Sequence, residues 1–352
     1  MEGGGLVRIL HTSDLHLAEK EPKTIRALEV LLGVASENSV DILTIAGDIF
    51  DSAKDADKLR PEIRSMFRGL DYDVIVIPGN HDGSILSKQY DWGFDVIAED
   101  PFGIRKRGKA AIVGVPYKER ADERLLLDLR EVQKTASPRV LLLHCTLDWG
   151  YSDESYGNED RRLYFPISRE ALSALQYDYV LAGHFHSSTE VINLRDKGVF
   201  VYPGSPVSHT RRELGKRYAV LIDTEMESAD RIPLDTTYFD QLLLKVVPGE
   251  EEKTVKQIQE WYTERADDQS SLKVIVQGVI AIEETEFEQL ILEVAPQIEL
   301  ANQVRDIQSV LSHPLYSRFK EELRELDDTE PKDDIDRIVL EIMSNLIGAG
   351  EL

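Results

Sequence analysis

The stretch Tyr179-Val-Leu-Ala-Gly-His-Phe-His186 begins as a short apolar run and ends in two histidines one residue apart. A run of that length, closed by a glycine, reads as a buried strand that stops where its polar residues begin. The same grammar recurs four times. Asp14-Leu15-His16 follows Val7 to Thr12, Gly47-Asp48 follows Leu43 to Ala46, Gly79-Asn80-His81-Asp82 follows Val74 to Pro78, and His144 follows Val140 to Leu143. In open α/β sheets the carboxyl ends of strands gather on one edge, where ligands bind. Five strand ends presenting Asp, His or Asn predict one convergent polar site.

Outward from these strands the pattern alternates. Ile25, Leu28, Leu31, Leu32 and Ala35 recur at helical spacing behind Pro22, and further helices are expected around Pro61 to Leu70, Glu123 to Lys134 and Ser168 to Leu175. Strands are also expected at Ala110 to Val115, Val199 to Tyr202 and Tyr218 to Ile222. This is an α/β domain over residues 1–224, with its sheets covered by helices. Glu225 to Asp235 carries no periodic pattern and reads as a linker. Residues 236–300 form a small α+β unit, with strands at Phe239 to Val247 and Leu272 to Val279 and helices at Glu252 to Arg265 and Glu284 to Leu292. Residues 301–352 carry two apolar helical stripes, one on Leu315, Phe319, Leu323 and Leu326, the other from Ile335 to Leu346. The second stripe suits docking to a partner.

The single cysteine, Cys145, excludes a disulfide framework and points to a reducing, cytoplasmic setting. No apolar run reaches the roughly 20 residues of a membrane span. A net charge of −24 speaks at first against nucleic acid. Residues 240–352 hold 26 acidic and 11 basic residues, however, so most of the excess lies away from the predicted site.

The site's residue types are carboxylate, imidazole and amide oxygen, which suit divalent manganese, iron, zinc or magnesium rather than a thiolate-seeking ion. Five of the eight histidines (His16, His81, His144, His184 and His186) end strands beside Asp, Asn or Gly. Asp48 is the natural bridge between two ions, since Gly47 lets the backbone approach closely. The glycines before Asp48, Asn80 and His184 suggest sharp turns toward the site.

The ordered set Asp14-x-His16, Gly47-Asp48, Gly79-Asn-His-Asp82, His144 and Gly183-His-x-His186 resembles the calcineurin-like metallophosphoesterase superfamily. Leu10-His-Thr-Ser-Asp-Leu-His16, Ala46-Gly-Asp-Ile-Phe-Asp51, the Tyr179–His186 stretch and Tyr202-Pro-Gly-Ser-Pro206 look like the SbcD-type nucleases of DNA double-strand-break repair. The resemblance implies a two-sheet sandwich flanked by helices, a small α+β cap domain, and C-terminal helices that dock onto an SbcC-like coiled-coil ABC-type ATPase. It also implies a homodimer and two divalent ions per chain, manganese first among them. Carried over by motif, Asp14, His16 and His186 hold one ion, Asn80, His144 and His184 the other, and Asp48 bridges. His81 is then the non-ligand, catalytic histidine beside the scissile phosphate. Some relatives have histidine where this chain has Asp51, so that position carries no inference about exonuclease mode.

The expected reaction is hydrolysis of DNA phosphodiesters by a two-metal-activated hydroxide, in exonuclease or endonuclease fashion. Asp82 either orients His81 or caps the loop. Arg161-Arg162, Arg211-Arg212 with Lys216-Arg217, and Arg105-Lys106-Arg107 with Lys109 are the basic clusters that could contact phosphates. Trp149 and Tyr151 could line the pocket. His11 reads as a structural partner under the first loop, and His209 and His313 as surface residues. Two other functions compete: a phosphatase for small phosphoesters or phosphoproteins, and a non-catalytic scaffold. The protein-phosphatase pattern has Arg-Gly where Ile49-Phe stand and Glu in place of Asp82, and a scaffold has no use for a full ligand set.

Overall fold

The computed structural model describes residues 7–83, 85–86, 90–120, 122–148, 165–194, 197–326 and 331–348. The chain forms two compact units, Met1–Phe239 and Asp240–Leu352.

The first unit starts with β1 (Arg8–Thr12), α1 (Pro22–Glu37), β2 (Ile42–Ala46), α2 (Ala53–Met66), β3 (Asp73–Ile77) and β4 (Asp95–Val96). Next come β5 (Gly103–Arg107), β6 (Ala110–Gly114), α3 (Glu123–Glu131), β7 (Arg139–His144), β8 (Leu147–Asp148) and β9 (Ile167–Ser168). It continues with α4 (Arg169–Leu175), β10 (Tyr179–Gly183), β11 (Glu190–Asn193), β12 (Val199–Tyr202), β13 (Tyr218–Asp223) and β14 (Ser228–Pro233).

Two six-stranded sheets result, ordered β14-β13-β1-β2-β3-β4 and β11-β12-β10-β7-β6-β5. Alternation along each strand explains how they stack. Ile9, Ile42, Ala46, Ile75 and Ile77 of the first sheet share a core with Ile112, Val140, Leu142, Tyr179 and Leu181 of the second. Their neighbours Leu10, Leu43, Ile45 and Val76 face outward onto Leu28, Leu31 and Ile63 of α1 and α2. Leu141, Leu143, Val180 and Ala182 likewise face Leu125, Leu129, Leu172 and Leu175 of α3 and α4. The domain is therefore a mixed α/β sandwich of two sheets flanked by helices. Strands buried on both faces read as unbroken apolar runs, which is why β1, β2, β3, β7 and β10 are visible in the sequence.

Parallel pairing sets the edge. β1, β2 and β3 run parallel, with Thr12 opposite Ile45 and Ala46 opposite Ile77. In the other sheet β6, β7, β10 and β12 run parallel, with Gly183 opposite His144. All five predicted ligand-bearing strand ends thus open on the same side of the sandwich.

Two expectations need correction here. Glu225 to Asp235 is not a linker: it contains β14, an edge strand antiparallel to β13. An edge strand packs on fewer neighbours and needs no apolar face, so its pattern was mute. The helix expected around Pro61 begins at Ala53, where the Ser52 hydroxyl accepts from Asp55 N (3.2 Å) as N-cap, and Pro61 lies inside it.

The second unit contains β15 (Tyr238–Val246), α5 (Glu251–Arg265), β16 (Ser270–Ile280), α6 (Glu284–Val294), β17 (Ile298–Asp306), α7 (Gln308–Leu311), α8 (Pro314–Glu325) and α9 (Lys332–Gly348). Its sheet runs β15-β16-β17, with Ile258, Phe287 and Ile291 of the helices packed on Val274 and Val276. The third strand was not expected from sequence. Of the C-terminal stripes, Tyr316, Leu340 and Met343 pack together with Ile307 and Val310, while Leu315, Ile338 and Ile342 remain exposed. Among the described residues no helix is long and apolar enough to cross a membrane.

Candidate metal centre

The loops after β1 and β2 are laced together before any side chain is considered. Asp14 N donates to Gly47 O (3.0 Å), His16 N to Asp48 O (3.0 Å) and Leu17 N to Ile49 O (2.7 Å). This lacing holds Asp14, His16 and Asp48 at φ of 55°, 43° and 53°, and His184 stands at 98°. Non-glycine residues rarely adopt that left-handed region, and such strain gathers at functional sites.

Glycines serve mostly as clearance. Gly47 does turn left-handed, with φ +88°, but Gly79 and Gly183 do not. A Cβ on Gly79 would collide with Asp48 Oδ1, and one on Gly183 would strike Ala46 O and lie 2.7 Å from Ser13 Cβ. The expected turns at these two positions are instead points where adjoining strand ends touch backbone to backbone.

Side chains converge accordingly. Donor atoms of Asp14, His16 and His186 lie within 4.8 Å of one another, and so do those of Asp14, Asp48 and His144. Asp48 joins the two groups, with Oδ2 3.4 Å from His144 Nε2 and 3.9 Å from His16 Nε2. Asn80 Oδ1 meets His144 Nε2 at 2.8 Å, and the His184 ring lies 5.3 Å from that of His144. His184 N also donates to Asp14 Oδ2 (3.0 Å). His144 Nδ1 donates to Ala46 O (2.8 Å), which leaves Nε2 as the nitrogen facing the centre.

The electrostatics follow from burial and proximity. Burial favours a neutral His144, yet the Asp48 carboxylate beside it pushes the ring up to about 10. Reciprocally, and against its own burial, Asp48 is held far below the usual carboxylate range by His144. His184 is driven well below its ordinary value by burial and then by His144.

His81 sits exposed at the rim. Its backbone N donates to Asp48 Oδ1 (2.9 Å), its Nδ1 meets Asp51 O at 3.2 Å, and its ring packs edge-on against His16 with centroids 4.7 Å apart. Asp82 does not orient it. That buried carboxylate accepts from the backbone N of Gly79 (2.9 Å), Ile49 (3.1 Å) and Phe50 (3.2 Å), so it pins the loops. Burial and then the Asp48 charge push its carboxyl up to about 6.

Sequence reasoning missed a second row of residues. His209, expected at the surface, is half-buried, with Nε2 3.0 Å from Asp14 O and its ring 5.1 Å from that of His16. Glu213 is wholly buried, its Oε1 3.5 Å from His186 Nδ1. Arg217, expected among phosphate contacts, is buried too and donates to His186 O (2.8 Å). In sequence Glu213 and Arg217 belong to the charge-rich run Arg211–Arg217, with His209 two residues before it, which reads as a solvated loop; only its position after Pro203-Gly-Ser-Pro206 hinted at the site.

Arg211 and Arg212 themselves are exposed, two and three residues beyond His209. Arg161, Arg162, Trp149 and Tyr151 lie outside the described residues. Arg105 pairs with Asp95 and Glu99, and Arg107 with Asp73 and Asp41. Asp73 starts β3, and Arg107 ends β5, the edge strand of the other sheet that runs antiparallel to β6, so this cluster belongs to the edge away from the site. His11 is a core residue as expected, between Thr44 Oγ1 (3.0 Å) and Ala182 O (3.2 Å). His313 is partly exposed, in line with a surface position, and caps α8 by accepting from Leu315 N (3.3 Å).

These residues fit divalent ions. Asp48 Oδ2 is buried and accepts no hydrogen bond among the described residues, its nearest positive group being the His144 ring at 3.4 Å, and a bound cation would satisfy it. The surrounding donors are oxygen and imidazole nitrogen, the set that manganese, iron and zinc accept.

Comparison with known proteins agrees. The family described as calcineurin-like phosphoesterase matches residues 7–188. The chain is 26% identical over 243 residues to the uncharacterized metallophosphoesterase YhaO of Bacillus subtilis, covering 60% of this chain and 56% of that one. It is 27% identical over 159 residues to the DNA double-strand break repair protein Mre11 of Saccharolobus solfataricus, covering 40% and 41%. The chain thus spans about half the length of the curated relatives it matches. A dimetal phosphatase from Danio rerio aligns with TM-score 0.43 at 12% identity, over 62% of this chain and 93% of that structure.

Proposed function

Since the chain belongs to the calcineurin-like phosphoesterase family, a family of metal-dependent hydrolases, we propose that its substrate is DNA and its reaction phosphodiester cleavage. The observation that carries the reaction type is the convergence of Asp14, His16, Asp48, His144 and His186, with Asp48 Oδ2 buried between His144 and His16 and accepting no hydrogen bond among the described residues. DNA as the substrate draws support from the likeness to the archaeal repair protein and from the SbcD-type wording of the motifs.

Asp14, His16 and His186 would hold one ion, Asn80, His144 and His184 the other, with Asp48 common to both. Two divalent ions bound there, manganese first among the choices, supply Lewis acidity and an acidified water. Two carboxylates, Asp14 and Asp48, do not neutralise such a pair, so the loaded centre draws in an anionic diester despite the chain's overall negative charge. With Nδ1–H held by Asp51 O, a protonated His81 would carry its second proton on Nε2, give it to the departing sugar oxygen and be left as the neutral ring with a lone pair there. Arg211 and Arg212, exposed on the His209 loop, would meet flanking phosphates. The exposed Leu315, Ile338 and Ile342 support docking of the C-terminal helices onto an SbcC-like coiled-coil ATPase, and a homodimer is part of the same proposal.

A small-substrate phosphoesterase is the second reading, favoured by the chain's net charge of −24, which gives a polyanion little general attraction. Manganese-dependent cleavage of linear duplex and single-stranded DNA, beside a generic phosphodiester, separates the two. DNA cleavage that disappears in Asp48→Ala and His81→Ala establishes the nuclease. Turnover of the generic ester without DNA cleavage establishes the second reading.

A further inference from the structure

We infer that Glu213 is a positioning residue of the metal centre, holding His186 in the ring orientation and tautomer that aim Nε2 at Asp14 and His16. This rests on the dinuclear reading above. The His186 ring is placed like a strut. Nδ1 faces Glu213 Oε1 at 3.5 Å, while Nε2 lies 3.7 Å from Asp14 Oδ1 and 3.2 Å from His16 Nε2. A neutral imidazole carries one N–H, and a carboxylate opposite Nδ1 keeps it there, leaving the Nε2 lone pair for a cation.

Glu213 is itself fixed. Oε2 accepts from His209 N (2.8 Å) and Ser205 Oγ (3.1 Å), and Oε1 from Thr210 Oγ1 (3.3 Å). The backbone of His186 is gripped from the same segment, its carbonyl accepting from Arg217 Nη2 (2.8 Å) and Ser205 N (3.2 Å). Stability alone is a poor reason to bury a carboxylate, because desolvation opposes it. Two of the other converging rings use the same device: His144 Nδ1 is met by Ala46 O at 2.8 Å, and His16 Nδ1 by the exposed Asp51 at 3.7 Å.

The test is calorimetric titration of manganese into the metal-stripped full chain, comparing wild type, Glu213→Gln, Glu213→Asp, His186→Ala and the Glu213→Gln/His186→Ala pair. Glu213→Gln is expected to weaken one of the two ions about 10–100-fold and leave the other unchanged. Glu213→Asp, which keeps the charge but draws it back, should weaken the same ion less and serves if the glutamine variant does not fold. In the His186→Ala background Glu213→Gln should change nothing further. Wild-type affinity in both Glu213 variants overturns the inference, as does an equal loss with and without His186. A wild-type chain that takes up no manganese overturns the inference and the dinuclear reading together.

Discussion

The strand ends of the first sheet bring both carboxylates, Asp14 and Asp48, with His16 and Asn80, whereas those of the second bring imidazoles only, His144, His184 and His186. Neither half is a good dinuclear site alone. The first has charge but too few donors, and the second has donors but no charge to hold a divalent ion against water. The centre exists only where the sheets are packed, so cation binding is coupled to the sandwich and not to either sheet.

That contrast can be broken most decisively from the anionic side. Asp48→Ala should reduce turnover to background and leave no tightly held ion by elemental analysis, while His184→Ala should retain one ion per chain. Equal metal content in the two variants would abolish the distinction between the halves.

Protons give the next largest effect. With its ring pushed up to about 10 by Asp48, once burial is overcome, His144 is an imidazolium near neutrality and must give up a proton to accept a cation. Manganese affinity should therefore rise by up to about tenfold per pH unit across neutral to alkaline pH, as calorimetry in buffers of different ionisation enthalpy would show. In the metal-free chain the sign reverses. A raised ring contributes stability present below its ordinary value of 6.5 and lost as pH climbs to about 10, so metal-free unfolding midpoints should fall through that window. A flat midpoint would mean that His144 and Asp48 are not paired across the sheets.

Chelation measures the coupling itself. An ion held at about 100 times its Kd adds roughly 2.7 kcal/mol, so its removal should lower Tm by about 5–10 °C in scanning calorimetry. The smallest effect is expected on the rim. Replacing Arg211 and Arg212 by alanine should leave metal content intact and flatten the salt dependence of DNA affinity by about two log–log slope units. An unchanged slope would move the polyanion elsewhere.

The sheets also differ from their margins in how openly the sequence declares them. Val140 to Leu143 and Tyr179 to Ala182 are buried on both faces, and such unbroken apolar runs read as strands of a sheet covered on both sides. Edge strands escaped notice: Ser228–Pro233 and Ile298–Asp306 mix polar and apolar residues with little period, since only part of each is covered. The residues brought together at the centre were those at strand ends, where local grammar speaks. Glu213, Arg217 and His209 stayed hidden because their burial is imposed by a loop folding back between the sheets, and a charged residue carries no local mark of a buried partner. The left-handed backbone of Asp14, His16 and Asp48 was equally silent, for it is enforced by pairing with a loop distant in sequence.

The clearances at Gly47, Gly79 and Gly183 bear on which ions can enter. At these glycines the strand ends crowd one another, Gly47 against the His144 ring, Gly79 against Asp48 and Gly183 against Ala46 O, so the ligand-bearing loops sit on closely packed chain. Calcium asks for oxygens at about 2.3–2.6 Å and for six to eight of them, whereas magnesium closes at about 2.0–2.1 Å. A tightly packed strand edge would favour the smaller ion, which comparing calcium with magnesium and manganese binding to the full chain would show.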